Sequence, residues 1–134
     1  MLLPCEVAVK CVLPVVRAMI AKELMTKHLM KQVKVAELLG VSQPAISLYT
    51  RKIRGRAMDL ENEIEITKLI ENLASSLAKE ELSHKDYIVA FCEICRTIRA
   101  KGLMCKLHKT FDPTVNIEKC KLCSVMTIAC INKP

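Results

Sequence analysis

Val15, Ala18, Met19, Leu24, Met25 and Leu29 recur at roughly helical spacing and predict a helix over 14–30. Pro14 is placed to open it, because its missing N–H costs little at a helix start. A shorter apolar stretch, 5–13, precedes it as a separate helix. A short helix over 33–39 stops at Gly40, and Ser42 is placed to cap a further one running to about Lys52. Asp59 is placed to cap a long amphipathic helix over about 60–80. Leu60, Ile64, Leu73 and Leu77 step along one side of it, with Ile66 and Ile70 nearby, and Glu61, Glu63, Glu65 and Glu71 make the rest acidic. Ser83 with Asp86 has the form of a capping box for a helix over about 84–101, which Gly102 ends. Beyond Gly102 the chain is short, basic and rich in cysteine, with a turn at Asp112-Pro113.

Composition agrees with an all-α fold. Apolar residues make up 51% of the 134 positions, aromatic ones only 3%, and Trp is absent, so the core is built from Leu, Ile, Val, Met and Ala. Three glycines leave little room for hairpin turns. The expected organisation is a helix-turn-helix domain over 1–57, a long dimerisation helix over 58–82, and a small cysteine-rich metal-binding domain over 83–134. The apolar start, residues 2–16, is broken by Glu6, Lys10 and two prolines, and its runs are too short to span a bilayer. A cytoplasmic location with no membrane partner is therefore expected. In a reducing compartment, eight cysteines read as metal ligands or reactive thiols rather than a disulfide framework.

The net charge of +7 is unevenly spread: residues 1–56 and 90–134 are basic, and 57–89 are acidic. A basic N-terminal half suits a polyanion such as DNA. The segment 32–51 fits a helix-turn-helix position by position. Ala36 sits where two helices cross closely, and Gly40, four residues on, sits where the turn needs a positive φ. Val41, Ile46 and Tyr49 pack the second helix on the first, with Val35 and Leu39 completing the contact. Ser42 at the N-cap, then Gln43, Ser47, Leu48 and Arg51, point outward, and Pro44 is tolerated in the first turn. In the major groove, Gln43 can pair with adenine and Arg51 with guanine or a phosphate, while Ser47 reaches either kind of group. Lys52, Arg54 and Arg56 neutralise phosphates. The expected partner is a double-stranded DNA operator, bound by a homodimer through the long amphipathic helix.

The C-terminal part carries Cys92-x2-Cys95, Cys105-x2-His108 and Cys120-x2-Cys123, the two Cys-x2-Cys pairs separated by 24 residues. Each pair can place both thiolates on one metal, and Arg96, Arg99, Lys101, Lys106, Lys119 and Lys121 stabilise thiolate charge. The same thiolates suit an iron–sulfur cluster (4Fe–4S or 3Fe–4S) or a structural zinc, the latter also through Cys92, Cys95, Cys105 and His108. Plain redox thiols are a third reading. Cys92, Cys95, Cys120 and Cys123 rank first as ligands, with Cys105 close behind and His108 a surface or neighbouring residue. Cys5 and Cys11 read as buried core thiols. Cys130 lies in an apolar tail, 125–131, expected to cover the metal site or a second subunit.

Pro4-Cys5-Glu6, Leu13-Pro14, Arg17-Ala18, Ala21-Lys22-Glu23-Leu24, the run Ala36 to Ser47 and Arg54-Gly55 together resemble a group of archaeal helix-turn-helix regulators. Members of that group have a C-terminal part similar to Phe91–Cys123 here. The resemblance implies a homodimeric transcription factor whose iron–sulfur cluster senses iron, sulfide or redox state. Loss or oxidation of the cluster would then loosen 92–123 and shift the dimer interface. A DNA-binding protein with a purely structural zinc, or a thiol or electron-transfer protein using Cys92 and Cys95, are the alternatives. Nothing supports an enzyme: no Ser-His-Asp set, no pocketed acid pair and no Gly-rich phosphate loop is present in the sequence.

Overall fold

The computed structural model describes residues 2–120 and Cys123, and among them every regular element is helical. The chain is all-α, as its composition predicts. The apolar tail 125–131 with Cys130, and Lys121, lie outside the described residues.

The first two predicted helices are one. Helix α1 (Pro4–Val7), a π-helical turn (Ala8–Val12) and α2 (Leu13–Thr26) follow without a break. Pro14 lacks a donor, and its ring crowds the preceding turn of a regular α-helix. The wider turn relieves that crowding, with the Leu13 N–H bonded to the Ala8 carbonyl five residues back. The proline is therefore carried through the helix instead of opening it. α2 stops at Thr26, short of the predicted 30, and Leu29 turns the chain with φ +54°.

Helices α3 (Gln32–Leu39) and α4 (Gln43–Thr50) stand where the sequence puts them. Gly40 closes α3 at φ +67°, and the Val41 N–H reaches back to the Ala36 carbonyl at 3.1 Å. The Ser42 hydroxyl accepts from the Ala45 N–H at 3.2 Å, capping α4.

The long helix differs from expectation in start and in facing. α5 spans Ile64–Ala78 with Glu63 at its N-cap. Asp59 instead accepts from the Glu61 N–H at 3.1 Å, a local turn that competes with helix initiation. The buried face is Ile66, Ile70, Leu73, Ala74 and Leu77, while Ile64 is 72% exposed and Leu60 is buried ahead of the helix. That face packs on α2 and on α6 (His84–Ala100), so Leu60, Leu73 and Leu77 of the stripe expected to meet a second copy are covered within the chain, and Ile64 is not. Ser83 caps α6 by accepting from the Asp86 N–H, and Gly102 follows its end at φ +73°. Two short helices, α7 (Cys105–Phe111) and α8 (Ile117–Cys120), complete the described chain; the sequence reading foresaw neither.

One apolar core runs through all three expected divisions. It joins Val12, Val16, Ile20 and Leu24 to Val35 and Ile46, then to α5 and to Ile94 and Ile98 of α6. The acidic middle is used as an internal counter-charge. Lys22 pairs with Glu61, Lys27 with Glu71, Lys34 with Glu80 and Lys101 with Glu65, at 2.8–3.2 Å. These pairs are largely solvated and add little stability, but together they determine which basic residues are left for other partners.

Candidate functional site

α4 presents one uncommitted face. Ala45, Ile46 and Tyr49 are buried against the rest of the fold, which turns Ser42, Gln43 and Pro44 outward and exposed, with Ser47 and Leu48 half-buried beside them. Arg51 follows at the C-terminal end and is exposed. The chain then turns at Lys52, φ +56°, where the Ile53 and Arg54 N–H groups both return to the Leu48 carbonyl. Arg51, Lys52, Arg54 and Arg56 are all exposed and form no ion pair among the described residues. Elsewhere in the N-terminal half most cations are engaged: Lys22, Lys27 and Lys34 in ion pairs, Lys10 over the Phe111 ring and Arg17 over the Phe91 ring, while Lys31 is exposed and forms no ion pair among the described residues.

Gly55 holds the basic turn against the first long helix. A Cβ there would lie 2.7 Å from the Pro14 carbonyl oxygen and 2.8 Å from the Ala18 Cβ, and the backbone sits at φ +75°. The small residues at 18 and 55 are thus one contact.

The second region gathers cysteines around a buried cation. Cys105, Cys120 and Cys123 line a cavity of about 270 Å³, together with Arg99, His108 and the apolar wall of Met104 and Val115. Arg99 is only 6% exposed. Its guanidinium donates to the Cys5 Sγ at 3.8 Å and also hydrogen-bonds Cys95 and Cys123. Burial works against its charge, but Cys123, Cys5 and Cys95 outweigh that and raise its pKa. Burial likewise pushes the Cys95 thiol up, opposed by Arg99. Burial, with Cys123 and Cys120 nearby, pushes up Cys105. Cys92 lies one turn before Cys95 on α6, half-buried and near enough to act on its charge. Among the described residues, no three Cys, His, Asp or Glu groups converge as a ready-formed metal site. Three thiols, Cys5, Cys95 and Cys123, meet at Arg99 instead.

Two expectations change here. Of the two placements expected for His108, surface or neighbour of the thiols, the surface one is excluded: it is buried, lines the cavity with Cys105, and its Nε2 lies 2.9 Å from the Leu2 carbonyl oxygen; with the proton on that nitrogen it donates the bond. Cys5 is an exposed thiol beside Arg99, not a core residue; Cys11 is the buried one, and burial raises its thiol. Nothing near Cys5 in sequence signals this, because Arg99 is 94 positions away.

The start of the chain is clamped to α7. Beside the His108 contact, the Leu2 N–H donates to Asp112 Oδ2 at 3.0 Å. Hydrogen bonds from Thr114 and from that N–H hold the Asp112 carboxyl at about 2. A depressed pKa stabilises the fold above the ordinary carboxylate value, and the contribution is lost as pH falls through the folded one. Acidification from about pH 4 to about pH 2 is expected to release residues 2–4 from α7. Amide hydrogen exchange at Leu2 should accelerate over that window in the native chain, and Asp112→Asn should flatten the change.

No helix among the described residues is long and apolar enough to cross a membrane. Comparison with protein-family models, with curated proteins and with solved structures finds no match.

Proposed function

We propose that the chain is a sequence-specific DNA-binding transcription regulator, acting as a homodimer, whose operator affinity is tuned by an iron–sulfur cluster. The observation that carries the DNA reading is the contrast in the N-terminal half. Lys10, Arg17, Lys22, Lys27 and Lys34 are engaged internally and Lys31 stands alone ahead of α3, while Arg51, Lys52, Arg54 and Arg56 stand exposed together beside the outward face of Ser42, Gln43, Pro44, Ser47 and Leu48. In this reading α3–Gly40–α4 is a helix-turn-helix, α4 enters the major groove, and the basic turn lies on the phosphates. A second copy would meet a surface other than the covered face of α5.

The donor set fits a thiolate-bound cluster. Soft sulfur ligands line a cavity, and a buried guanidinium among them would offset part of the negative charge of a thiolate-ligated cluster. Cys92, Cys95, Cys105, Cys120 and Cys123 would hold it, and it would supply redox- and iron-sensitive charge. His108 is engaged with Leu2, which weighs against zinc held by Cys92, Cys95, Cys105 and His108.

Selection from a random duplex library, followed by fluorescence anisotropy on the enriched sequence across a salt series, tests the DNA reading. Arg51→Ala is expected to cost about 1–3 kcal/mol on the selected duplex and to relax its sequence preference. Lys52→Ala, Arg54→Ala and Arg56→Ala are each expected to weaken all duplexes alike and lower the salt slope by about one. No enrichment, with a salt slope near zero, removes the proposal.

A further inference from the structure

Cys5 is the only cysteine of the N-terminal helix that stands at the thiol site. Its Sγ is 3.8 Å from the Arg99 guanidinium, which also bonds Cys95 and Cys123. The preceding residue, Pro4, lines the same cavity as Cys105, Cys120 and Cys123. The backbone there is fixed from both sides, by Leu2 on Asp112 and His108 and by α1 packing on α7. Cys5 is exposed, so its sulfur is open to a group entering the site, unlike Cys11, which is 4% exposed in the core.

From this placement we infer that Cys5 is a further ligand of the thiol site, contributed by the DNA-reading half. The inference rests on the proposed cluster. Ligation replaces the S–H bond of Cys5 by an S–Fe bond, the proton leaves to solvent, and the sulfur keeps its oxidation state. Its consequence is mechanical. α1 continues through the π turn into α2, and α2 packs on α3 and α4. A cluster held by Cys5 and by α6 is bonded directly to the helix that supports α4.

Iodoacetamide alkylation with peptide mass spectrometry tests this on the full chain, before and after anaerobic loading with ferrous iron and sulfide. Loading is expected to slow alkylation of Cys5 at least tenfold, while Cys11 stays unreactive throughout. Cys5→Ser, checked for unchanged helical content, is expected to shift the cluster's absorption and paramagnetic spectra, because oxygen replaces sulfur on iron. Equal Cys5 alkylation in loaded and cluster-free protein, with native cluster present, overturns the inference and leaves the cluster reading standing. Protection without any spectral change in Cys5→Ser overturns ligation as well, since the cluster then only covers the thiol. A native chain that takes up no iron overturns both readings.

Discussion

Replacing Gly55 with alanine is expected to destabilise the folded chain by about 3 kcal/mol, lowering its melting temperature by about 10 °C. Two terms add. Holding an alanine at φ +75° costs about 1–2 kcal/mol. The new methyl group also meets a backbone oxygen at 2.7 Å, and that oxygen belongs to Pro14 inside a continuous helix, where it has little freedom to retreat. Gly40 separates the two terms. It has a similar φ, +67°, but a Cβ there would meet nothing within 4 Å, so Gly40→Ala should show the strain alone. Thermal unfolding followed by circular dichroism reads both variants. Equal losses would mean that the basic turn does not press on Pro14 and Ala18. A larger loss at Gly55 places Arg54 and Arg56 on a rigid base, as phosphate contacts of fixed register require.

The α3–α4 unit was legible because each of its determinants acts within a few residues. Gly40 supplies a left-handed conformation, Ser42 a cap three residues from its donor, and Ala45, Ile46 and Tyr49 a short buried face. Where partners are distant in sequence, legibility fails. Leu60, Ile64, Leu73 and Leu77 fit a helical stripe, as do Ile66, Ile70, Leu73 and Leu77; only packing on α2 and α6 chooses the second. Pro14 reads locally as a helix start, but Val12, Val16 and Ile20 all enter one core, and burying them together favours a π turn over a break. Helix α7 is short, and His108 finds its partner, Leu2, 106 positions away. The cysteine spacing groups Cys92, Cys95, Cys105, Cys120 and Cys123 in sequence, yet it could not show that Arg99 lies beside Cys5, Cys95 and Cys123. Cysteine pairs close in sequence announce themselves, while a cation on α6 and a thiol on α1 meet only through the fold.

The double variant Cys120→Ala, Cys123→Ala is expected to abolish stable cluster binding and to change affinity for the selected duplex by about 5–150-fold relative to loaded native protein, the usual range for coupled sites. The route is continuous. Arg99 ties Cys123, Cys95 and Cys5 together, Asp112 and His108 hold Leu2, and α1 runs through the π turn into the helix on which α3 and α4 rest. Removing the Cys123 sulfur leaves the buried Arg99 with fewer polar partners, so α6 and α7 are expected to loosen their hold on residues 2–5. The effect must be conformational, because Cys120 and Cys123 are not among the residues proposed to touch DNA. Anisotropy titrations of the loaded native chain, the cluster-free native chain and the double variant distinguish the cases. If the last two agree with each other and differ from the first, occupancy sets affinity. If all three bind equally, the thiol site is structural or independent of DNA reading, and the regulatory part of the proposal falls while the role of α4 survives. A double variant that binds weakly while cluster-free native protein binds as the loaded form does would assign the loss to damaged packing, which a lowered melting temperature would reveal directly.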